Sequence, residues 1–570
     1  MKDTRVARFD VAEIPLGAST SVDMSPTVDV MFTDPTGHER RVPAYVTNGE
    51  WRVRYSSGIP GRHHYLSTSS TGGSLTGVEG AVEVTAQGNS HGPLRVASDQ
   101  RHLEHADGTP FLWLADTWWH GFVERLSDAE FRELAAKRAH QGFSVVQIVA
   151  GLYPEMEPFA TEGRSNNGWA WHEDFTKPNL AWFDEADRRV TELLKHDLTP
   201  CIVGSWSHYL KHMDAKQLLW HWREMIARWG AYPVVWCLVG EPPVPASEDS
   251  GLRERLERQI TSQRDVERNP YFAKILPKGQ NCSVSEIREI AYSRIEQENS
   301  ETLKRLNEVA RGVREIEPYG RPITIHSQGV GRHPWLSLEN EDLIDFWLPQ
   351  SGHWNPDIVE QSVSHIKECI AHTPVKPSIN GEPPYEGICG SHWQDTQRFL
   401  FWSHMLSGVA GHSYGAHGVW AFNTPEFPGF ISGRAPLWKE AADFLGASHV
   451  GIGSKILRAL PWYKFEPHPE WIEVFLESES PYRPYAAGMP DGIRVIYVPS
   501  VLLYPSLELR LRNLGKNPWR AQSVDPRTGK TERELCLNPD ADGTENILGR
   551  SVNDPLPSCE DWILVLRPES

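Results

Sequence analysis

Eight short apolar runs, separated by stretches of helical periodicity, constrain this chain more than any other feature. They are Phe111 to Ala115, Ser144 to Val149, Pro200 to Ser205, Val234 to Val239, Ile323 to His326, Ile344 to Pro349, Lys376 to Asn380 and Gly411 to Trp420. An apolar run too short for a helix, without polar alternation, reads as a strand buried on both faces. Amphipathic stretches stand between them: Asp128 to His140, Phe183 to Lys195, Gln217 to Trp229, Thr302 to Glu315 and Ile358 to Ala371. Strands alternating with helices build a parallel sheet, and eight repeats favour closure, so the expected fold is α/β, a (β/α)8 TIM barrel.

At 570 residues the chain exceeds one ordinary core, so flanking modules are expected. From Phe9 to Thr85 short alternating runs (Thr27 to Phe32, Trp51 to Tyr55, His63 to Ser67) predict an antiparallel β-sandwich, and Gly88-Asn89-Ser90-His91-Gly92-Pro93 reads as a linker. After about Ile456 the alternation returns in Trp471 to Leu476, Ile493 to Val498, Leu507 to Leu511 and Trp562 to Leu566, a second β-sandwich. Three domains follow: 1–92, 93–455 and 456–570. Within the second, an insertion at about 243–300, rich in Arg, Glu and Gln, replaces a loop that is usually about ten times shorter. Because it follows a strand it is expected on the C-terminal rim, walling the substrate pocket.

Two strands end alike. Val234 to Val239 runs into Gly240-Glu241-Pro242-Pro243, and Pro377 to Asn380 runs into Gly381-Glu382-Pro383-Pro384-Tyr385-Glu386. Pro-Pro stops each strand, leaving Glu241 and Glu382 at one mouth. A single Glu there is as readily a salt-bridge partner as a catalyst, but a matched pair is what glycoside hydrolysis needs: one acid to protonate the leaving oxygen, and a carboxylate across from it.

Composition narrows the alternatives. A net charge of -18 without a basic run excludes the footprint of a nucleic-acid binder, while 23 Trp suit the apolar faces of sugars as well as they suit cores. Seven widely spaced Cys, two of them (Cys201, Cys237) inside apolar runs, read as reduced thiols. No apolar segment follows the charged N-terminus and none is long enough for a membrane span, so a soluble cytoplasmic protein without a membrane partner is expected. The 24 His form no His-Glu-x-x-His pattern, and no paired Cys-x-x-Cys, dinucleotide glycine motif, Walker A sequence or Gly-x-Ser-x-Gly elbow occurs. Neither metal nor cofactor is expected.

The run Asp107-Gly108-Thr109-Pro110-Phe111-Leu112-Trp113-Leu114-Ala115-Asp116-Thr117-Trp118-Trp119, then Gly142 to Gln147 and Asn179 to Asp187, resembles the apiosidase-like catalytic domain of glycoside hydrolase family 140 and its relatives. The N-terminal piece around Trp51 to Tyr55 is similar to the module that usually precedes this domain. The C-terminal piece around Val524 to Gly529 is similar to the collagen-binding-type module that usually follows it. The resemblance implies a (β/α)8 fold, no metal and two acidic catalytic residues, which places the acid/base on Glu241 and the nucleophile on Glu382. Relatives often carry Asp at the first position, and the wider clan of retaining barrel glycosidases has Asn where Gly240 stands, which leaves the sugar open.

Residues near strand ends are candidates to hold an oligosaccharide: Asp116, Trp118, Trp119, Gln147, Trp206, His208, His326, Gln328, His353, Tyr385, Tyr414, His417 and Trp420. For most of them a buried hydrogen-bonded polar group or a core ring is the commoner reading; Trp118 and Trp420 are the favoured stacking platforms. The reading is a retaining glycoside hydrolase acting on terminal or short-oligosaccharide bonds of plant- or microbe-derived glycans, with homo-oligomerisation left open. Two competitors stand behind it: a lyase or transglycosidase on the same barrel, distinguished by product mass, and a non-catalytic sugar binder, which would tolerate Glu382→Ala.

Overall fold

The computed structural model describes the chain except residues 1–3, 20–26, 89, 276–281, 355–356, 432–434, 475–479, 501–508, 548–555, 559 and 570. At its centre is a seven-stranded, wholly parallel sheet: β1 (Trp113–Thr117), β2 (Val145–Val149), β3 (Thr199–Val203), β4 (Val235–Gly240), β5 (Ile323–His326), β6 (Ile379–Asn380) and β7 (Gly411–Tyr414). The spatial order is β5-β4-β3-β2-β1-β7-β6. Every residue of these strands is buried, as an apolar run covered on both faces requires.

The run expected as the sixth strand, Ile344 to Pro349, makes no ladder of its own. It touches its neighbours by isolated parallel bridges, His326 to Leu348, Trp347 to Ser378 and Gln350 to Glu382. Pro349 and Pro377 lack the N–H a ladder needs, and the Thr324 hydroxyl, not a backbone amide, donates to the Phe346 carbonyl at 2.8 Å. The last run is also shorter than expected: the strand ends at Tyr414, and a Cβ at Gly415 would come within 2.1 Å of the Tyr385 ring.

The helices follow their local signals. α1 (Asp128–Gln141) starts on a reciprocal cap between Ser127 and Glu130 and stops at Gly142, where φ is 105°. α2 (Leu180–Lys195) buries Trp182, Phe183, Ala186, Val190 and Leu193 at helical spacing, and α3 (Ala215–Trp229) starts on the Asp214–Gln217 cap. Between β4 and β5 the insertion carries α4 (Leu252–Gln259), two shorter helices and α5 (Val284–Ile316), of which the expected Thr302 to Glu315 is only the last part. α6 (Ile358–Ala371), α7 (Gln394–Met405) and α8 (Leu445–Arg458) complete the layer.

Before the central sheet, a five-stranded and a three-stranded sheet share one apolar core around Val30, Phe32, Val53 and Val82. After it, a six-stranded and a three-stranded sheet share a core around Ile496, Leu509 and Leu564. In the expected strands Trp471 to Leu476 and Leu507 to Leu511, residues 475–476 and 507–508 lie outside the described residues. No described helix is long and apolar enough to cross a membrane.

Candidate active site

β4 delivers Gly240 and then Glu241 to the C-terminal mouth of the sheet. Glu241 takes φ 51°, a left-handed conformation that costs a residue with a Cβ about 1–2 kcal/mol, and its N–H is pinned by donation to the His326 carbonyl at 2.7 Å. Trp206 lies so close to Gly240 that a Cβ there would stand 2.2 Å from the indole. Only glycine fits at 240, and the Trp206 Nε1 donates to Glu241 Oε2 at 3.2 Å.

Glu382 lies two residues past β6 and is almost fully buried. Its Oε2 accepts from the Tyr385 hydroxyl at 2.6 Å and from Trp119 Nε1 at 3.2 Å; the same indole donates to the Tyr385 oxygen at 2.8 Å. Oε1 meets His353 Nε2 at 2.8 Å. The other ring nitrogen, His353 Nδ1, accepts the Tyr385 N–H at 3.2 Å, so a neutral ring carries its proton on Nε2 and donates it to Glu382. His326 Nε2 stands 3.4 Å from Oε2. Burial alone would raise this carboxyl, but the hydrogen bonds and charge of His326 and His353 outweigh it and hold Glu382 well below the usual carboxylate range. Burial, then the charge of Glu382, pushes the Tyr385 hydroxyl far up, which keeps it a donor.

One side chain joins the two glutamates. Gln350 Nε2 donates to Glu241 Oε1 at 2.7 Å and to Glu382 Oε1 at 3.0 Å, one hydrogen for each acceptor. The two oxygens can be no farther apart than those contacts laid end to end. Both carboxylates open into a cavity of ≈ 780 Å³ that Trp119, Trp206, Gln350, His353, Tyr385 and Trp420 also line. Insertion residues Asp249, Ser250, Gly251, Arg255 and Arg258 form part of its wall. Glu155 lines it too; burial, then the charges of Glu241 and Glu382, raises its carboxyl.

A sequence model of the apiosidase-like catalytic domain matches residues 97–464. The chain belongs to this family. Solved structures share the fold at low identity. A glycoside hydrolase is 17% identical over 84% of this chain and 97% of its own, with a TM-score of 0.61. A family 5 glycoside hydrolase from Bacteroides vulgatus is 17% identical over 84% and 94%, with 0.62. Another Bacteroides vulgatus chain is 14% identical over the full length of both, with 0.63. A search of curated proteins finds no match.

In this apiosidase-like chain the expected residues divide sharply. Glu241, Glu382, Trp119, Trp206, Gln328, His353, Tyr385 and Trp420 line the cavity, and His326 lies directly behind Glu382. The others do not line it. Asp116 is fully buried, and its Oδ2 accepts from Arg138 Nε at 2.6 Å and Trp118 Nε1 at 2.7 Å, which makes it an ion-pair partner and Trp118 a core ring against Phe131. Gln147 donates to the Gly381 carbonyl at 2.9 Å, supporting the turn into Glu382. The Tyr414 hydroxyl is spent on Glu386 at 2.6 Å. Burial pushes the imidazoles of His208 and His417 down to about 4, outside the cavity lining.

Gln350 and Glu155 were not singled out from the sequence. Gln350 is the first polar residue after Ile344 to Pro349, near a strand end as the rim candidates are, so the signal existed. Glu155 lies in a loop without periodicity and left none. Elsewhere, donor atoms of His333, His365 and Cys369 lie within 4.8 Å of one another. The two imidazoles are stacked at 4.4 Å and 19°, so an ion in the plane of one ring would lie off the plane of the other.

Proposed function

We propose that this chain is a retaining glycoside hydrolase of short or terminal glycan bonds, with Glu382 as nucleophile and Glu241 as acid/base. The central sheet is read as a (β/α)8 barrel in which Ile344 to Pro349 fills the eighth place. The observation that carries the proposal is the Gln350 amide held between both carboxylates at 2.7 and 3.0 Å. Those contacts keep the oxygens under about 6 Å apart, close to the retaining spacing and short of the about 6.5–9.5 Å that leaves room for an inverting water.

Chemistry follows from the environments. Glu382, ionised by its donors, attacks the anomeric carbon while Glu241 gives its proton to the departing oxygen. The carboxylate that attacks well enough must also leave, and a lowered pKa favours that second half. Glu241 then takes a proton from water, which displaces Glu382. Tyr385 and Trp119 fix the attacking oxygen through their hydrogen bonds to Oε2, and Trp206 steadies Glu241.

A screen of nitrophenyl glycosides with pectic side-chain and arabinan oligosaccharides finds the substrate. On it, Glu241→Gln should lose about 10²- to 10⁴-fold on poor leaving groups and much less on activated ones. Glu382→Ala should lose more on both, and product NMR should show the starting anomer first. Wild-type rates in Glu382→Ala, or an inverted first product, would remove the assignment.

A further inference from the structure

Charge is segregated in the cavity. Glu241, Glu382 and Glu155 gather around the reacting end, while Arg255, Arg258 and Arg332 stand together in the lining with one carboxylate, Asp249. Asp249 Oδ2 accepts from Arg332 Nε at 3.1 Å and pairs with Arg255, so one negative charge serves two guanidinium groups. Among the described residues Arg258 has only Glu254, at 3.5 Å on the helix surface. Among the described residues the two Nη groups of Arg332 meet no acceptor, and a guanidinium fork without a partner is a ready receptor for a planar or tetrahedral anion. Trp354, 61% exposed, presents a ring to the same cavity, 6.0 Å from the His353 ring. Two of the three arginines belong to the insertion, so the chain builds this basic wall with its own added segment while carrying a net charge of -18.

We propose that this wall is a subsite for a sugar bearing an anionic group, a carboxylate or a sulfate ester, held by Arg255, Arg258 and Arg332 with its ring against Trp354. The inference rests on the hydrolase reading for what happens next to that sugar, but not for its binding. An anionic sugar is recognised by charge at the wall and kept from the repelling glutamates, which sets its orientation in the cavity.

The test uses the full chain as Glu382→Gln, so that bound sugars persist. Oligosaccharides from a uronate-rich pectin are offered beside the same pool after carboxyl reduction, and those from a sulfated galactan beside the desulfated pool; captured sugars are weighed by mass spectrometry. One acidic pool should be captured about tenfold or more over its neutral counterpart, less as salt rises, and the pool that does so identifies the anion. Arg258→Gln and Arg332→Gln should each erode that preference while neutral sugars bind as before; Arg258 is exposed, so its loss leaves the fold intact. Equal capture within both pairs, no capture of acidic sugar, or a preference that survives both substitutions would overturn the subsite. Wild-type cleavage of neutral sugars with no acidic preference would sink the subsite alone, whereas capture of acidic sugars that the wild type never cleaves would sink the hydrolase and leave the subsite standing.

Discussion

At the scale of single residues the site depends on donors that hold charge in place. Gln350 gives one hydrogen to each catalytic candidate, so Gln350→Ala leaves two carboxylates facing each other without their bridge. Its kcat should fall about 10- to 100-fold, with KM less affected, because the lost interaction positions groups that react. A KM effect alone would show that Gln350 holds sugar and not the glutamates. His353 argues through pH. Glu382 has a lowered carboxyl pKa, so its charged form adds folding stability above the ordinary value near about 4, and that stability is lost as pH falls toward the folded value. His353→Phe removes a donor to the Glu382 carboxylate, so the acid limb of kcat/KM should move up by about one unit. An unmoved limb would mean that His353 does not tune Glu382. The glutamates themselves were legible because an apolar run broken by Gly-Glu-Pro-Pro has few structural explanations. Asp116 misled for the converse reason: it too follows an apolar run, but Arg138, a helix away in sequence, takes its charge.

Elements were legible where local physics decides them. α1 and α6 fall within a residue of their expected bounds because the cap of α1 and the apolar spacing of both are properties of the segment itself. The Ile344 to Pro349 run was read as a strand from composition, but whether a strand pairs depends on its neighbours, and two prolines and one threonine hydroxyl take over there. The insertion was visible only as an overlong connection; that Leu252, Leu256, Ile260, Phe272 and Ile287 form a small core of their own needed the structure. That core makes the wall separable from the chemistry. Ile260 is fully buried in it, so Ile260→Ala should cost about 2–4 kcal/mol within the insertion. The expected signature is new protease cleavage between residues 243 and 300 with raised KM and nearly unchanged kcat on the substrate found. A fall in kcat with no new cleavage would tie the insertion to the catalytic geometry instead.

Across the whole molecule, the two flanking β regions are attached by different physics. The N-terminal sheets have a separate core, against which Tyr319 of the central region packs, and meet the central α/β region mainly through polar contacts: Arg54 grips Asp187 with two bonds of 2.6 Å and also donates to the Arg228 carbonyl at 2.8 Å. In the C-terminal six-stranded sheet the central strands, Arg494–Val498 and the first five residues of Trp562–Pro568, are buried on both faces. Val495, Tyr497, Ile563 and Val565 point into the central core, while Ile496, Val498, Leu564 and Leu566 belong to the outer one. A buried fork reinforces the join, with Arg398 Nε and Nη2 donating to Asp561 at 2.8 and 3.0 Å and the Tyr497 hydroxyl adding 3.2 Å. Removing Asp561 leaves the buried Arg398 guanidinium with the exposed Asp395 at 2.7 Å and His449 at 3.0 Å but without its buried counter-charge, so Asp561→Ala should lose up to about 3 kcal/mol. Cutting the chain after residue 464, where the family match ends, exposes the apolar side of the central core that this sheet covers. That protein should be insoluble, whereas the chain without residues 1–92 should stay folded with a lower Tm, because it loses ion pairs and not a core. Soluble yield and near-ultraviolet circular dichroism of the two truncations decide the matter. The reverse order of tolerance would mean that the polar N-terminal contacts, and not the shared apolar layer, hold the central sheet in its native state.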